Sequence, residues 1–310
     1  MKEIRIATRA SKLALAQSNN VCKLIKEIAP DVEVVIVEIF TKGDKDQSDF
    51  LHDKGLVGFF TLEVEQALLD RRADVAVHSF KDLPTAMPPE LVIAAVAKRE
   101  NPADALVTST GALSIEDIPS GSTIGTSSLR RIAQIKQIRS DLDCKPLRGN
   151  VETRVGKVEI GELDAIIVAA AGLIRLGLEE KISAILPPQQ FLPAPAQGAL
   201  AVQIRRGETE LMDIVGQIND RNTRIAAQAE RTMLSEMGGG CSLPLGTYTQ
   251  IENAEISIDA AILNEDGSRS IKRAITGKLS EADQTARSLT QAILEAGGDR
   301  ILEEINESRG

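Results

Sequence analysis

Two α/β domains followed by a smaller α+β domain are what this sequence predicts, and three observations carry that fold class. Short apolar runs alternate with helix-period stretches from Ile4 to Ala97, the rhythm of a layered domain with parallel strand pairs. The polar stretch KRENP at Lys98–Pro102 interrupts that rhythm, which then restarts and runs to Ala169. From about Arg221 the pattern changes to paired alternating strands flanked by helices. A chain of 310 residues has room for two or three domains at roughly 100–200 residues each.

In chain order, Ile4–Ala7 reads as the first strand. Ser11 then caps a helix whose stripe is Leu13, Gln17, Val21, Leu24, Ile25 and Ile28. Cys22 sits in that helix as a small hydrophobe. Val32–Phe40 is a β-branched strand, and the polar Thr41–Asp53 has the length of a lid loop. Thr61–Arg72 reads as a helix, Asp74–Val77 and Leu91–Ala97 as strands. After the break come strands at Asp104–Val107, Ser122–Ile124, Cys144–Leu147 and Asp164–Ala169, with helices at Ser127–Arg139 and Val151–Ile160. The proline-rich Pro187–Gly198 reads as a crossing segment, and Ala199–Ile204 as a strand returning to the first sheet. Two such crossovers imply a hinged cleft. Thr223–Met237 is a helix, Glu255–Leu263 and Arg269–Thr276 are strands joined through the Asp-Gly turn of Asn264–Gly267, and helices Glu281–Ala296 and Asp299–Ile305 follow. The expected domains are 1–98 with 198–217, then 99–197, then 218–310.

Composition narrows the function classes. A formal net charge of −9 and an aromatic content of 2% argue against nucleic acid, which needs phosphate-neutralising cations and stacking platforms. The longest apolar run, Ala165–Ile174, is far short of the ~20 residues of a membrane helix. The first residues are charged throughout, unlike a signal peptide. Cys22, Cys144 and Cys241 lie far apart, with no metal or disulfide spacing. The expectation is a reduced, cytoplasmic, monomeric protein with no metal and no membrane or nucleic-acid partner.

Candidate chemistry gathers at strand ends, where open α/β sheets bind ligands. Val77–Pro84 reads VHSFKDLP. In it Asp82 is placed to handle a proton or a developing positive charge, and Lys81 to hold an anion; the alternative is a solvated turn. Gly125–Arg131, GTSSLRR, opens a helix with Thr126, Ser127, Ser128, Arg130 and Arg131, an anion site if both arginines face the ligand and a capped solvent-facing helix otherwise. In Leu147–Arg154, LRGNVETR, Arg148 ends a strand, Gly149 permits a tight turn and Asn150 caps the helix carrying Arg154. Arg9, before Ser11, and Arg175 also follow strands. Arginine forks match carboxylates, so the cluster suits a small polyanion. Cys241, after three glycines in MGGGCSLP, is an available thiol; otherwise it is an incidental free cysteine. His78, at a strand edge, reads as a packed, hydrogen-bonded residue rather than a catalyst.

Taken in order, IATRASKLAL, VHSFKDLP, GTSSLRR, LRGNVETR, LPAPAQGA and GGGCSLP resemble the porphobilinogen deaminase (hydroxymethylbilane synthase) family over nearly the whole chain. The resemblance implies two domains like type II periplasmic binding proteins and a third with a cysteine loop. It implies a dipyrromethane cofactor on Cys241 through a thioether, four successive additions of porphobilinogen with loss of ammonia, and hydrolytic release of hydroxymethylbilane. It implies Asp82 as the catalytic residue, a carboxylate that stabilises the cation left when ammonia departs. Lys81, Asp82, Thr126, Ser127, Ser128, Arg130, Arg131, Arg148 and Gly149 match cofactor-binding positions. Arg9, Ser11, Ser79, Arg148, Arg154, Arg175 and Gln197 match substrate-binding positions. One departure stands out: where the family has a GGKGLF-like stretch, Gly55–Phe60 reads GLVGFF, with Val57 at the lysine position and Lys54 three residues earlier. The competing class is a non-catalytic, two-lobed protein that binds a small anion.

Overall fold

The computed structural model describes residues 2–39, 61–240 and 243–307. The chain forms two compact units, 1–100 with 198–225 and 101–197 with 226–310.

The first unit is built on five strands: β1 (Glu3–Arg9), β2 (Glu33–Ile39), β3 (Val75–Ser79), β4 (Leu91–Ala97) and β10 (Leu200–Arg205). Their order is β2-β1-β3-β10-β4. β1 runs parallel to β2 and β3, while β10 runs antiparallel to both β3 and β4. Helix α1 (Lys12–Ile28) lays Val21 and Ile25 on Ile4, Ile6, Val75 and Val77. Ser11 caps it, accepting the Ala14 N–H at 3.3 Å. Helix α2 (Leu62–Leu69) covers the other face with Val64, Ala67 and Leu68 against Ala7, Ile39 and Ala76. A sheet covered on both faces favours near-continuous apolar strands, and β3, β4 and β10 read that way.

The second unit holds two sheets. The larger has the order β7-β6-β8-β5-β9, from β5 (Asp104–Thr108), β6 (Thr123–Gly125), β7 (Asp143–Lys145), β8 (Ala165–Ala169) and β9 (Ala184–Ile185). β6 is parallel to β7 and β8, and β5 is antiparallel to β8 and β9. Helix α3 (Leu129–Ile138) follows β6, α4 (Val151–Glu159) follows β7, and the short α5 (Ala170–Arg175) follows β8. The smaller sheet is an antiparallel meander of β11 (Leu245–Glu252), β12 (Glu255–Leu263) and β13 (Ser270–Lys278). Helix α8 (Ala282–Ile293) packs on it, burying Ala286, Leu289 and Ile293. Helices α6 (Thr209–Val215), α7 (Arg221–Glu236) and α9 (Asp299–Glu307) complete the chain.

Helix α3 and the proline-rich segment meet the smaller sheet in a core of Ala133, Leu192, Ala261 and Leu263. Gly267, at φ +73°, brings the β12–β13 turn so close to α3 that a Cβ there would lie 2.2 Å from the Ala133 carbonyl oxygen. Glu230, fully buried on α7, accepts the N–H groups of Ala196 at 2.6 Å and Thr249 at 3.1 Å. One carboxylate thereby ties the proline-rich segment to β11. Two α/β sheets and a small α+β element are thus present, as the alternation of elements implied.

Candidate active site

In the first unit, β1 and β3 are parallel neighbours, so their C-terminal ends share one edge. Arg9 ends β1, and Ser79 ends β3. The chain then turns through a short 3₁₀ helix, Phe80–Asp82. Phe80 and Leu83 are buried at 7% and 2% exposure. Residues three apart stack in a 3₁₀ turn, so this apolar pair anchors the turn and leaves Lys81 half-buried and Asp82 exposed. Asp82 is therefore a surface carboxylate. The Phe80 N–H donates to the Ala199 carbonyl at 3.0 Å, fixing the turn to the end of β10. Gln17, buried on α1, donates to the Ser79 hydroxyl at 2.8 Å. That bond fills an acceptor position and leaves the Ser79 proton for another partner.

Beneath this edge lies a buried polar chain. Gln203 Nε2 donates to Glu65 at 2.8 Å, so its Oε1 accepts from His78 Nε2 at 3.0 Å. Burial pushes the His78 imidazole down to about 4, outweighing its bond to Gln203, and burial pushes the Glu65 carboxyl up. His78 is the packed, hydrogen-bonded residue that its place in the sequence suggested.

In the second unit, β6, β7 and β8 are parallel neighbours, and their C-terminal ends carry GTSSLRR, LRGN and α5. Thr126 is buried, and its hydroxyl accepts the Ser128 N–H at 3.3 Å. Ser128 is the N-cap of α3 but makes no side-chain cap bond. Gly149 has φ +100°, the backbone only glycine adopts readily. Asn150 caps α4, accepting from the Thr153 N–H and hydroxyl at 2.8 Å each. Arg154 Nε donates to the Gly149 carbonyl at 2.8 Å. Arg148 and Arg175 are half-buried.

Arg130 and Arg131 are not in solvent: both are buried, at 3% and 7% exposure. Arg130 Nη1 donates to Asp104 at 2.8 Å and to the Leu192 carbonyl at 2.7 Å. Arg131 donates to Asp104 from Nε at 3.1 Å and from Nη2 at 2.7 Å, and to the Ile167 carbonyl at 3.1 Å. Burial alone would raise the Asp104 carboxyl; the charges of Arg130 and Arg131 outweigh it and hold the group well below its ordinary value. Burial likewise pushes the Arg130 guanidinium down against the pull of Asp104. Gln197, fully buried, donates to Asp104 at 2.9 Å and to the Pro102 carbonyl at 2.8 Å.

Sequence reasoning passed over Asp104, Gln17, Glu65, Gln203 and Glu230. Asp104 starts β5, and in a parallel strand that end lies away from the site. β5 is antiparallel, with Asp104 opposite Ala169, which brings it to the ligand edge. The signal available was a lone acidic residue opening an apolar strand, DALVT.

Cys241, Lys54, Val57 and the expected lid Thr41–Asp53 lie outside the described residues. Both flanks of Cys241 are anchored: a Cβ on Gly239 would come within 2.6 Å of the Leu243 side chain, and the Gly240 carbonyl accepts the Leu243 N–H at 3.1 Å. Among the described residues no group of three His, Cys, Asp or Glu side chains is placed to hold a metal, and no helix is long and apolar enough to cross a membrane.

Each unit thus presents a parallel-strand edge that carries cationic and hydroxyl side chains, the first with an adjacent carboxylate, and such donors suit carboxylate-bearing ligands. Residues 4–213 match the porphobilinogen deaminase dipyromethane cofactor binding domain, and residues 224–295 match the porphobilinogen deaminase C-terminal domain. The porphobilinogen deaminase of Maridesulfovibrio salexigens is 43% identical, covering 98% of this chain and 99% of its own. That of Syntrophomonas wolfei is also 43% identical, covering 97% and 98%, and that of Alkaliphilus metalliredigens is 40% identical, covering 99% and 96%. The chain belongs to the porphobilinogen deaminase family. It is a hydroxymethylbilane synthase with a dipyrromethane cofactor domain, an enzyme of tetrapyrrole biosynthesis.

The residues present fit such a cofactor. Arg130 Nε is buried and has no hydrogen-bond partner among the described residues. The cluster around it sets two guanidiniums against one aspartate. A buried cationic group with an unmet donor calls for an anion, and the cofactor's acetate and propionate groups are anions.

Proposed function

We propose that Asp82 is the catalytic carboxylate of this deaminase and that Cys241 holds the dipyrromethane by a thioether. Lys81, Thr126, Ser127, Ser128, Arg130, Arg131, Arg148 and Gly149 surround that cofactor, while Arg9, Ser11, Ser79, Arg154, Arg175 and Gln197 serve the incoming porphobilinogen. When bound, the cofactor supplies the pyrrole carbon that begins the chain. Around it the chain's own side chains divide the work. The arginines pair with acetate and propionate groups, for which their planar forks are shaped. The Ser79 hydroxyl, oriented by Gln17, donates a hydrogen bond to an acceptor on substrate. Asp82 sits where positive charge develops as ammonia leaves porphobilinogen, and it takes up or returns the proton that each addition requires. The covalent anchor keeps the growing chain in place between additions. Domains 1–98 with 198–217, 99–197 and 218–310, a cytoplasmic location and a monomeric state belong to the same reading. The half-buried thiols of Cys22 and Cys144 are unpaired, in keeping with a reducing compartment.

The observation that carries this reading is the turn at Phe80–Asp82, which sets Lys81 and Asp82 side by side on a buried apolar anchor at the sheet edge. The test is Asp82→Asn, purified and assayed for both bound cofactor and turnover. Retained cofactor with turnover down by roughly 10²-fold or more fits a residue acting in proton transfer. Ordinary turnover removes Asp82 from the role. Family membership at 43% identity over 98% of the chain leaves no place for a non-catalytic binder.

A further inference from the structure

Asp104 has no exposed surface. Its carboxylate accepts from Arg130 Nη1, from Arg131 Nε and Nη2, and from Gln197 Nε2, all at 2.7–3.1 Å. The far sides of the guanidiniums are held as well, by the Leu192 and Ile167 carbonyls. Gln134 fixes Leu192 in turn, donating to its carbonyl at 3.0 Å and accepting its N–H at 2.7 Å. All of these residues belong to the second unit. Two cations against one anion leave one positive charge in a buried place, and Arg130 Nε remains without a partner among the described residues.

We propose that Asp104 is a positioning residue for cofactor capture: it locks the planes of Arg130 and Arg131 and cancels one of their charges, so that the cluster offers one net charge and the Arg130 Nε donor to a cofactor carboxylate. The proposal rests on the cofactor site described above. Without Asp104 the two like charges face each other unscreened and the guanidiniums rotate. A misplacement of about 1 Å is enough to cost roughly 10²-fold in a positioned reaction.

The experiment uses apo-protein of the full chain and its Asp104→Asn, Asp104→Glu, Arg130→Gln and Asp104→Asn/Arg130→Gln variants. Each is held at a temperature where circular dichroism shows it folded. Covalent uptake of cofactor from added hydroxymethylbilane is followed by intact-protein mass. Asp104→Asn takes up cofactor roughly 10²-fold more slowly than wild type, and the deficit of the double variant is smaller than the product of the two single deficits, because part of the Asp104 effect passes through Arg130. Wild-type uptake by folded Asp104→Asn overturns the proposal, and so does a double variant whose deficits multiply. Should Asp104→Asn fail to fold, Asp104→Glu keeps the charge and moves the carboxylate by one methylene. Slow uptake by that variant supports positioning, and wild-type uptake refutes it. Wild-type uptake by Arg130→Gln would instead refute the cofactor role of Arg130 on which the proposal stands.

Discussion

Ser127 and Leu147 are joined twice: the serine hydroxyl donates to the Leu147 carbonyl at 3.0 Å and accepts the Leu147 N–H at 2.9 Å. A side chain aligned with cofactor contacts thus also works as a backbone surrogate, stitching the turn after β6 to the turn after β7. Arg148 and Gly149 follow directly, so this stitch sets where they begin.

Ser127→Ala removes both bonds and leaves a partly buried N–H and C=O without their partner. A cost of about 1–3 kcal/mol in stability follows, measured by urea unfolding, together with weaker substrate binding through Arg148. A stable variant with unaltered KM contradicts the stitch.

Gly267→Ala tests the docking of the small sheet on α3. The new Cβ meets the Ala133 carbonyl oxygen at 2.2 Å, and the backbone has φ +73°. Overpacking and left-handed strain together cost about 2–4 kcal/mol, read as a lower thermal midpoint. A neutral substitution shows that the turn lies further from α3.

His78 gives a pH signature. Its neutral form is favoured by the fold, with the imidazole at about 4 against an ordinary 6.5. Its contribution is therefore complete above pH 6.5 and is lost as pH falls from 6.5 towards 4, worth up to about 3 kcal/mol. Asp74, held below its ordinary 3.8 by Arg5 and Arg205 against the opposing effect of burial, loses its contribution only at lower pH. Stability of wild type minus His78→Asn, followed across that window, falls on acidification. A flat difference contradicts a buried neutral imidazole.

How much of this was legible in the sequence depended on what each residue's partner was. The strand-end cations Arg9, Lys81, Arg148 and Arg175 were readable because a strand's end and the next helix's cap are local. The inward side of β11 was not, because Thr247 and Thr249, buried at 0% and 7%, replace the apolar alternation that marks a half-buried strand. Asp104 was hidden by strand direction, which no local pattern reports. Whether Arg130 and Arg131 faced solvent could not be read from a helix period alone; it was settled by the buried carboxylate between them. Gln17, Gln203 and Glu230 act across 19–138 positions in sequence, through folded contacts such as Gln203 with Glu65 and Glu230 with Thr249.

The most direct measurement is an intact mass of the purified chain with peptide mapping, before and after adding porphobilinogen. The account predicts a mass excess of one dipyrromethane on the Cys241 peptide and further ring-sized steps once substrate is present. A chain that stays unmodified even after incubation with hydroxymethylbilane, or a cofactor found on Cys22 or Cys144, would contradict it.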